Sequence, residues 1–71
     1  MNKKEIIDVL KLLQDNKSSY SKLYRGFTKR LKNPIKLDSL ELIEYLDSKN
    51  FNNIFELISH LITLNKNTNK L

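Results

Sequence analysis

Apolar residues in this chain recur only at helical spacing, and that restricts the fold more than any other feature. Ile6, Val9, Leu10 and Leu13 stand at i, i+3, i+4 and i+7; Tyr20, Leu23, Tyr24, Phe27 and Leu31 form a second such stripe, and Ile54, Leu57, Ile58 and Leu61 a third. At about 100° per residue each set gathers on one face of a helix, whereas a half-buried strand would need strict alternation. The expected fold is therefore all-α, a small single-domain bundle of about four short helices over 3–14, 19–32, 39–48 and 54–64. Residues 1–64 make the domain, and the polar, aperiodic stretch 65–71 is expected to fray.

Helix ends are written in the polar residues between these stripes. Asn2 with Glu5, and Asn53 with Glu56, match the capping box, in which a side chain satisfies the first orphan N–H groups of a helix. Leu37, Asp38, Glu41 and Leu42 supply an N-cap at Asp38, a box acid and both halves of a hydrophobic staple. Between the second and third helices, Asn33 suits a left-handed cap and Pro34 forbids continuation. At 71 residues, without cysteine, the core relies on packing alone, and partner contacts or a homodimer would add to it. No stretch approaches the roughly 20 apolar residues of a membrane span, and Asp8 and Lys11 interrupt the N-terminal run before a secretory core forms. A cytoplasmic protein without membrane insertion is the resulting expectation.

Charge is segregated along the chain. Between Asn16 and Leu37 stand seven cations (Lys17, Lys22, Arg25, Lys29, Arg30, Lys32 and Lys36) and no acid, while the rest carries six bases and eight acids. The lack of alanine and the abundance of lysine, asparagine, isoleucine and leucine fit an AT-rich genome, such as that of a phage, a plasmid or an AT-rich bacterium. Composition of that kind accounts for part of the +5 net charge but not for its placement. On the second helix, Ser18, Lys22, Arg25, Lys29 and Lys32 fall opposite the apolar stripe, and the cations from Lys22 to Lys32 form a row some 15 Å long at about 1.5 Å per residue. A row like this neutralises successive phosphates, and it points to nucleic acid, DNA before RNA, as the partner. The plainer account is a solvated face, or a face paired internally with Glu41, Glu44 and Asp47 of the third helix. If those acids instead face solvent, they offer a surface to a cationic protein. Tyr20, Tyr24 and Phe27 belong to the core stripe, with stacking against single-stranded bases as the lesser reading.

The segment Ile6 to Gly26, an apolar helix, a polar Asp15-Asn16-Lys17 turn and then Ser18-Ser19-Tyr20-Ser21-Lys22-Leu23-Tyr24-Arg25-Gly26, resembles the helix-turn-helix of phage repressors. The resemblance implies that Lys17, Ser18, Ser19, Ser21, Lys22 and Arg25 reach into a major groove. Leu10 and Gln14 stand where that family usually has a small residue and a turn glycine. Leu37-Asp38-Ser39-Leu40-Glu41-Leu42-Ile43-Glu44 resembles the Asp-Ser-Leu site of acyl carrier proteins, which implies a phosphopantetheine on Ser39. Helix capping explains the same residues.

Catalytic material is otherwise absent: His60 has no cysteine or second histidine to work with, no glycine-rich loop is present, and no metal set, cofactor or small-molecule substrate is indicated. The chain reads as a small nucleic-acid-binding regulatory protein and not an enzyme. The alternative is a protein-binding modulator or inhibitor of a larger complex, and an acyl-carrier-like protein comes third.

Overall fold

Asn2 and Glu5 open the first helix as their spacing demands. The Asn2 side chain accepts the Glu5 N–H at 2.8 Å, and the Glu5 carboxylate accepts the Asn2 N–H at 3.0 Å. The computed structural model describes residues 1–69, in which four α-helices and no strands occur. Helix α1 (Lys3–Gln14) buries Ile6, Val9, Leu10 and Leu13, the four residues of its stripe. The turn to α2 (Ser19–Thr28) is held by Asp15, whose carboxylate accepts the Lys17 N–H at 3.0 Å and whose carbonyl accepts the Ser18 N–H at 2.9 Å.

Helix α2 departs from expectation in length and in orientation. It ends at Thr28 rather than near 32, and its buried residues are Ser21, Tyr24 and Thr28. The buried face is turned roughly 80° from the expected apolar stripe, judged at about 100° per residue. Leu23 and Phe27 are 47% and 52% exposed, and Leu31 is only half-buried. Small Ser21 and Thr28 let the helix backbone sit close to its neighbours, and Thr28 Oγ1 donates to the Tyr24 carbonyl at 3.1 Å, a local bond that competes with helix propagation.

Beyond Thr28 the chain is held by α4 (Ile54–Thr68). Asn69 accepts the Asn33 N–H at 2.9 Å and donates to the Asn33 carbonyl at 3.1 Å, while the fully buried Asn65 accepts the Ile35 N–H at 2.9 Å. These long-range partners satisfy backbone groups of the loop that no helix provides for. Asn33 is not left-handed; the residue that adopts positive φ is Asn50, at 55°, just past the end of α3. Helix α4 also runs beyond its expected end at 64. The tail expected to fray is helical through Thr68, and residues 70–71 lie outside the described residues.

Helix α3 (Leu40–Ser48) is capped by Ser39, not Asp38: the Ser39 hydroxyl accepts the Leu42 N–H at 3.4 Å. The Asp38–Glu41 box is therefore not formed, and Asp38 is exposed. Loss of the true cap typically costs about 1 kcal/mol. Ser39→Ala should lower the thermal midpoint by a few degrees, and Asp38→Ala by clearly less, as differential scanning calorimetry will show.

Helix α1 packs on both α2 and α3, and α2 packs on α4. The core joins the α1 stripe to Tyr24, Leu37, Leu46, Leu57, Ile58 and Leu61. Gly26 lies inside α2 with ordinary helical φ, exposed, with nothing within 4 Å of the place a Cβ would take. Alanine there should gain up to about 1 kcal/mol from helix propensity, a rise in melting temperature on the order of 4–8 °C. A fall would show that Gly26 needs a conformation alanine cannot adopt.

Candidate nucleic-acid interface

Helix α2 and the loop after it carry the cations of the candidate interface, and the helix start is set by Ser18, whose Oγ accepts the Tyr20 N–H at 3.2 Å. Lys17, Lys22, Arg25, Lys29, Arg30, Lys32 and Lys36 are all exposed. Only Lys22, Arg25 and Lys29, at the C-cap, share a helical row, which spans about 10 Å at 1.5 Å per residue, and the shorter α2 leaves Arg30, Lys32 and Lys36 to the loop. The row lies on the flank of α2 about 100° from the buried face, not diametrically opposite it. Arg25 is oriented by the turn, where its guanidinium donates to the Asn16 side-chain oxygen.

Among the described residues no acid forms a salt bridge with these cations. Among the described residues the salt bridge present is Lys3–Glu44 at 3.8 Å, which joins α1 to α3. The alternative of an internal pairing of the basic row with Glu41, Glu44 and Asp47 is not seen among the described residues. Helix α1 stands between α2 and α3, so Glu41 and Glu44 are exposed, and Asp47 half-buried, on a separate part of the molecule.

Two residues of the helix-turn-helix reading are spent on structure. Ser21 is wholly buried, its hydroxyl without a partner among the described residues, and Ser18 is half-buried as the cap. Lys17, Ser19 and Lys22 are exposed, and Arg25 is exposed but tied to Asn16. In the acyl-carrier reading, Ser39 is half-buried with its hydroxyl engaged as the α3 cap.

Sequence reasoning missed two features. One is the strip of exposed apolar side chains along α2 and α4, made by Leu23, Phe27 and the 60%-exposed Phe55. The Tyr20 ring meets Phe55 edge-on at 6.1 Å between centroids, and Lys66 Nζ lies 6.0 Å from the centre of the Phe27 ring. The other is Asn65, whose Nδ2 donates to the Tyr24 hydroxyl at 2.6 Å and to the Leu61 carbonyl at 2.9 Å. A signal for it was present, because Leu57, Leu61 and Asn65 follow one another at i, i+4, i+8 on the core face. Burial pushes the Tyr24 hydroxyl pKa up from its ordinary value, and the Asn65 hydrogen bond partly opposes that rise.

His60 is a half-buried boundary residue whose Nε2 lies 3.0 Å from the Tyr45 hydroxyl, with the Phe51 ring 5.2 Å away between centroids. Glu56 accepts the Asn52 N–H at 2.8 Å and serves the start of α4. Among the described residues no three histidine or carboxylate side chains are placed to hold a metal, and no helix is long and apolar enough to cross a membrane. Comparison with known proteins finds no matching family model, no matching curated protein and no matching solved structure.

Proposed function

We propose that this chain is a small cytoplasmic regulatory protein that binds nucleic acid, DNA in preference to RNA, through Lys17, Lys22, Arg25, Lys29, Arg30, Lys32 and Lys36. The observation that carries this reading is the exposed, acid-free cation patch on α2 and its following loop, held apart from the acids of α3 by α1. Unpaired cations in a contiguous patch gain most from a partner that releases condensed counterions as it binds. No catalytic step is assigned to any residue.

The test is a salt titration of binding to duplex DNA, single strands and RNA. About five phosphate contacts predict a slope of log affinity against log salt of about −4.5 on duplex DNA. Lys22→Glu, Arg25→Glu and Lys29→Glu together should flatten that slope and abolish binding while circular dichroism stays helical. Full affinity in the triple variant would exclude α2 as the footprint.

A second reading rests on α3, where exposed Glu41 and Glu44 adjoin the exposed apolar side chains Leu40 and Tyr45. That face suits a cationic protein partner, as a modulator of a larger complex would require. Retained capture of such a partner by the α2 triple variant, and its loss on Glu41→Lys with Glu44→Lys, would support it.

A further inference from the structure

The apolar strip on α2 and α4 calls for an occupant. Tyr20 sits by Phe55, Tyr24 by Asn65 and Phe27 by Lys66, so the two helices run side by side in the same direction. Between Tyr20 and Phe27 the strip extends about 10 Å along α2 at 1.5 Å per residue, about three rises of a stacked nucleic-acid strand. Both phenylalanines are more than half exposed, and Leu23, one turn before Phe27 on α2, is 47% exposed. Exposed aromatic side chains grouped on one surface of a small domain mark a binding face.

Charge decides what can lie there. Helix α2 has no acid, and the nearest one on α4, Glu56, is committed to the Asn52 N–H. Lys66 borders the strip from α4, Lys22 stands across the crest of α2 about 100° round the helix from Leu23, and Arg30 follows in the loop past the end of α2. The crest itself is low, since it carries Ser19 and Gly26, and Gly26 has open space around its missing Cβ. A second copy packed strip to strip would bring these like charges together, so the occupant is anionic and also presents flat apolar faces. A duplex keeps its base faces stacked inside, whereas a single strand offers bases and phosphates together.

Building on the nucleic-acid reading above, we infer that Phe27 and Phe55 are stacking platforms for bases of a single strand, with its phosphates on Lys22, Arg30 and Lys66. The ligand class is therefore single-stranded nucleic acid. Leucine at either position keeps apolar bulk and removes the aromatic face, so Phe27→Leu with Phe55→Leu separates stacking from general hydrophobic contact.

The experiment measures fluorescence anisotropy of a labelled twelve-residue oligothymidylate and of a labelled twelve-base-pair duplex. The wild type, the double leucine variant and the Lys22→Glu, Arg25→Glu, Lys29→Glu variant are compared, each first shown to melt cooperatively. The double leucine variant is expected to lose roughly tenfold or more in affinity for the single strand, since each stacked base contributes strongly to such binding. Its salt slope should be unchanged and its duplex affinity kept within about twofold. Wild-type affinity for the single strand in that variant would overturn the inference and assign the strip to an acidic amphipathic segment of a protein, leaving the phosphate reading intact if the charge-reversal variant still fails to bind. An equal loss on strand and duplex would also overturn it. Failure of the wild type to bind either probe at low salt would overturn the nucleic-acid reading and this inference with it.

Discussion

Asn65→Leu should destabilise the protein by about 3 kcal/mol even though it keeps the branched shape of the side chain and adds apolar surface. Asn65 is wholly buried and joins three parts of the chain: it accepts the Ile35 N–H of the loop, donates to the Tyr24 hydroxyl of α2 and donates to the Leu61 carbonyl of α4. Leucine leaves the Ile35 N–H and the Tyr24 hydroxyl facing a side chain that cannot bond them, and each buried polar group so stranded costs about 1–3 kcal/mol. For a domain of this size, 3 kcal/mol lowers the melting temperature by on the order of 12–24 °C. Thermal unfolding followed by circular dichroism checks it. Equal stability of Asn65→Leu and wild type would show that the three hydrogen bonds of Asn65 add nothing net to stability. Asn69→Ala, which removes only the more exposed clamp on Asn33, should cost less.

Leu46→Ala should cost 2–5 kcal/mol, the range for deleting a fully buried leucine side chain. Leu46 is the one residue of α3 that is wholly buried, with Leu42 and Ile43 only half-buried beside it. At about 0.05–0.15 kcal/mol per residue, a 71-residue chain has a total stability of roughly 4–11 kcal/mol, so this one truncation removes a large share. Leu40, 68% exposed on the same helix, provides the contrast: Leu40→Ala should shift the urea midpoint hardly at all. Similar shifts for the two variants would mean that α3 is not anchored through Leu46.

The parts of the fold that sequence disclosed are those decided by near neighbours. The start of α1 follows from Asn2 and Glu5 three residues apart, and its buried face from four apolar residues at helical spacing. The start of α4 follows equally from Asn53 and Glu56. Where two adjacent residues are both good caps, spacing could not choose, and Ser39 rather than Asp38 took the role. Residues far along the chain decided the rest. The end of α2 depends on Asn65 and Asn69, which bond Ile35 and Asn33 across 30 and 36 positions. The orientation of α2 was not legible because large apolar residues do not all enter the core. The structure uses Ser21 and Thr28 for close approach and leaves Leu23 and Phe27 outside. Exposure of the cations was legible because nothing apolar competes for their places, but the strip beside them was not, because Phe55 lies 28 positions from Phe27.

The position of α1 between a cationic and an acidic helix gives the molecule an electric dipole moment as well as a net charge. A +5 charge spread evenly would draw the protein toward a polyanion in any orientation, and most encounters would begin on the wrong side. With the two signs held on separate helices, the field of the polyanion exerts a torque within a Debye length, about 8–10 Å at ordinary salt. If nucleic acid is the partner, as proposed, the protein would turn before it touches, so that α2 arrives leading and α3 trailing. Orientation before contact shows in the association rate rather than in the lifetime of the complex.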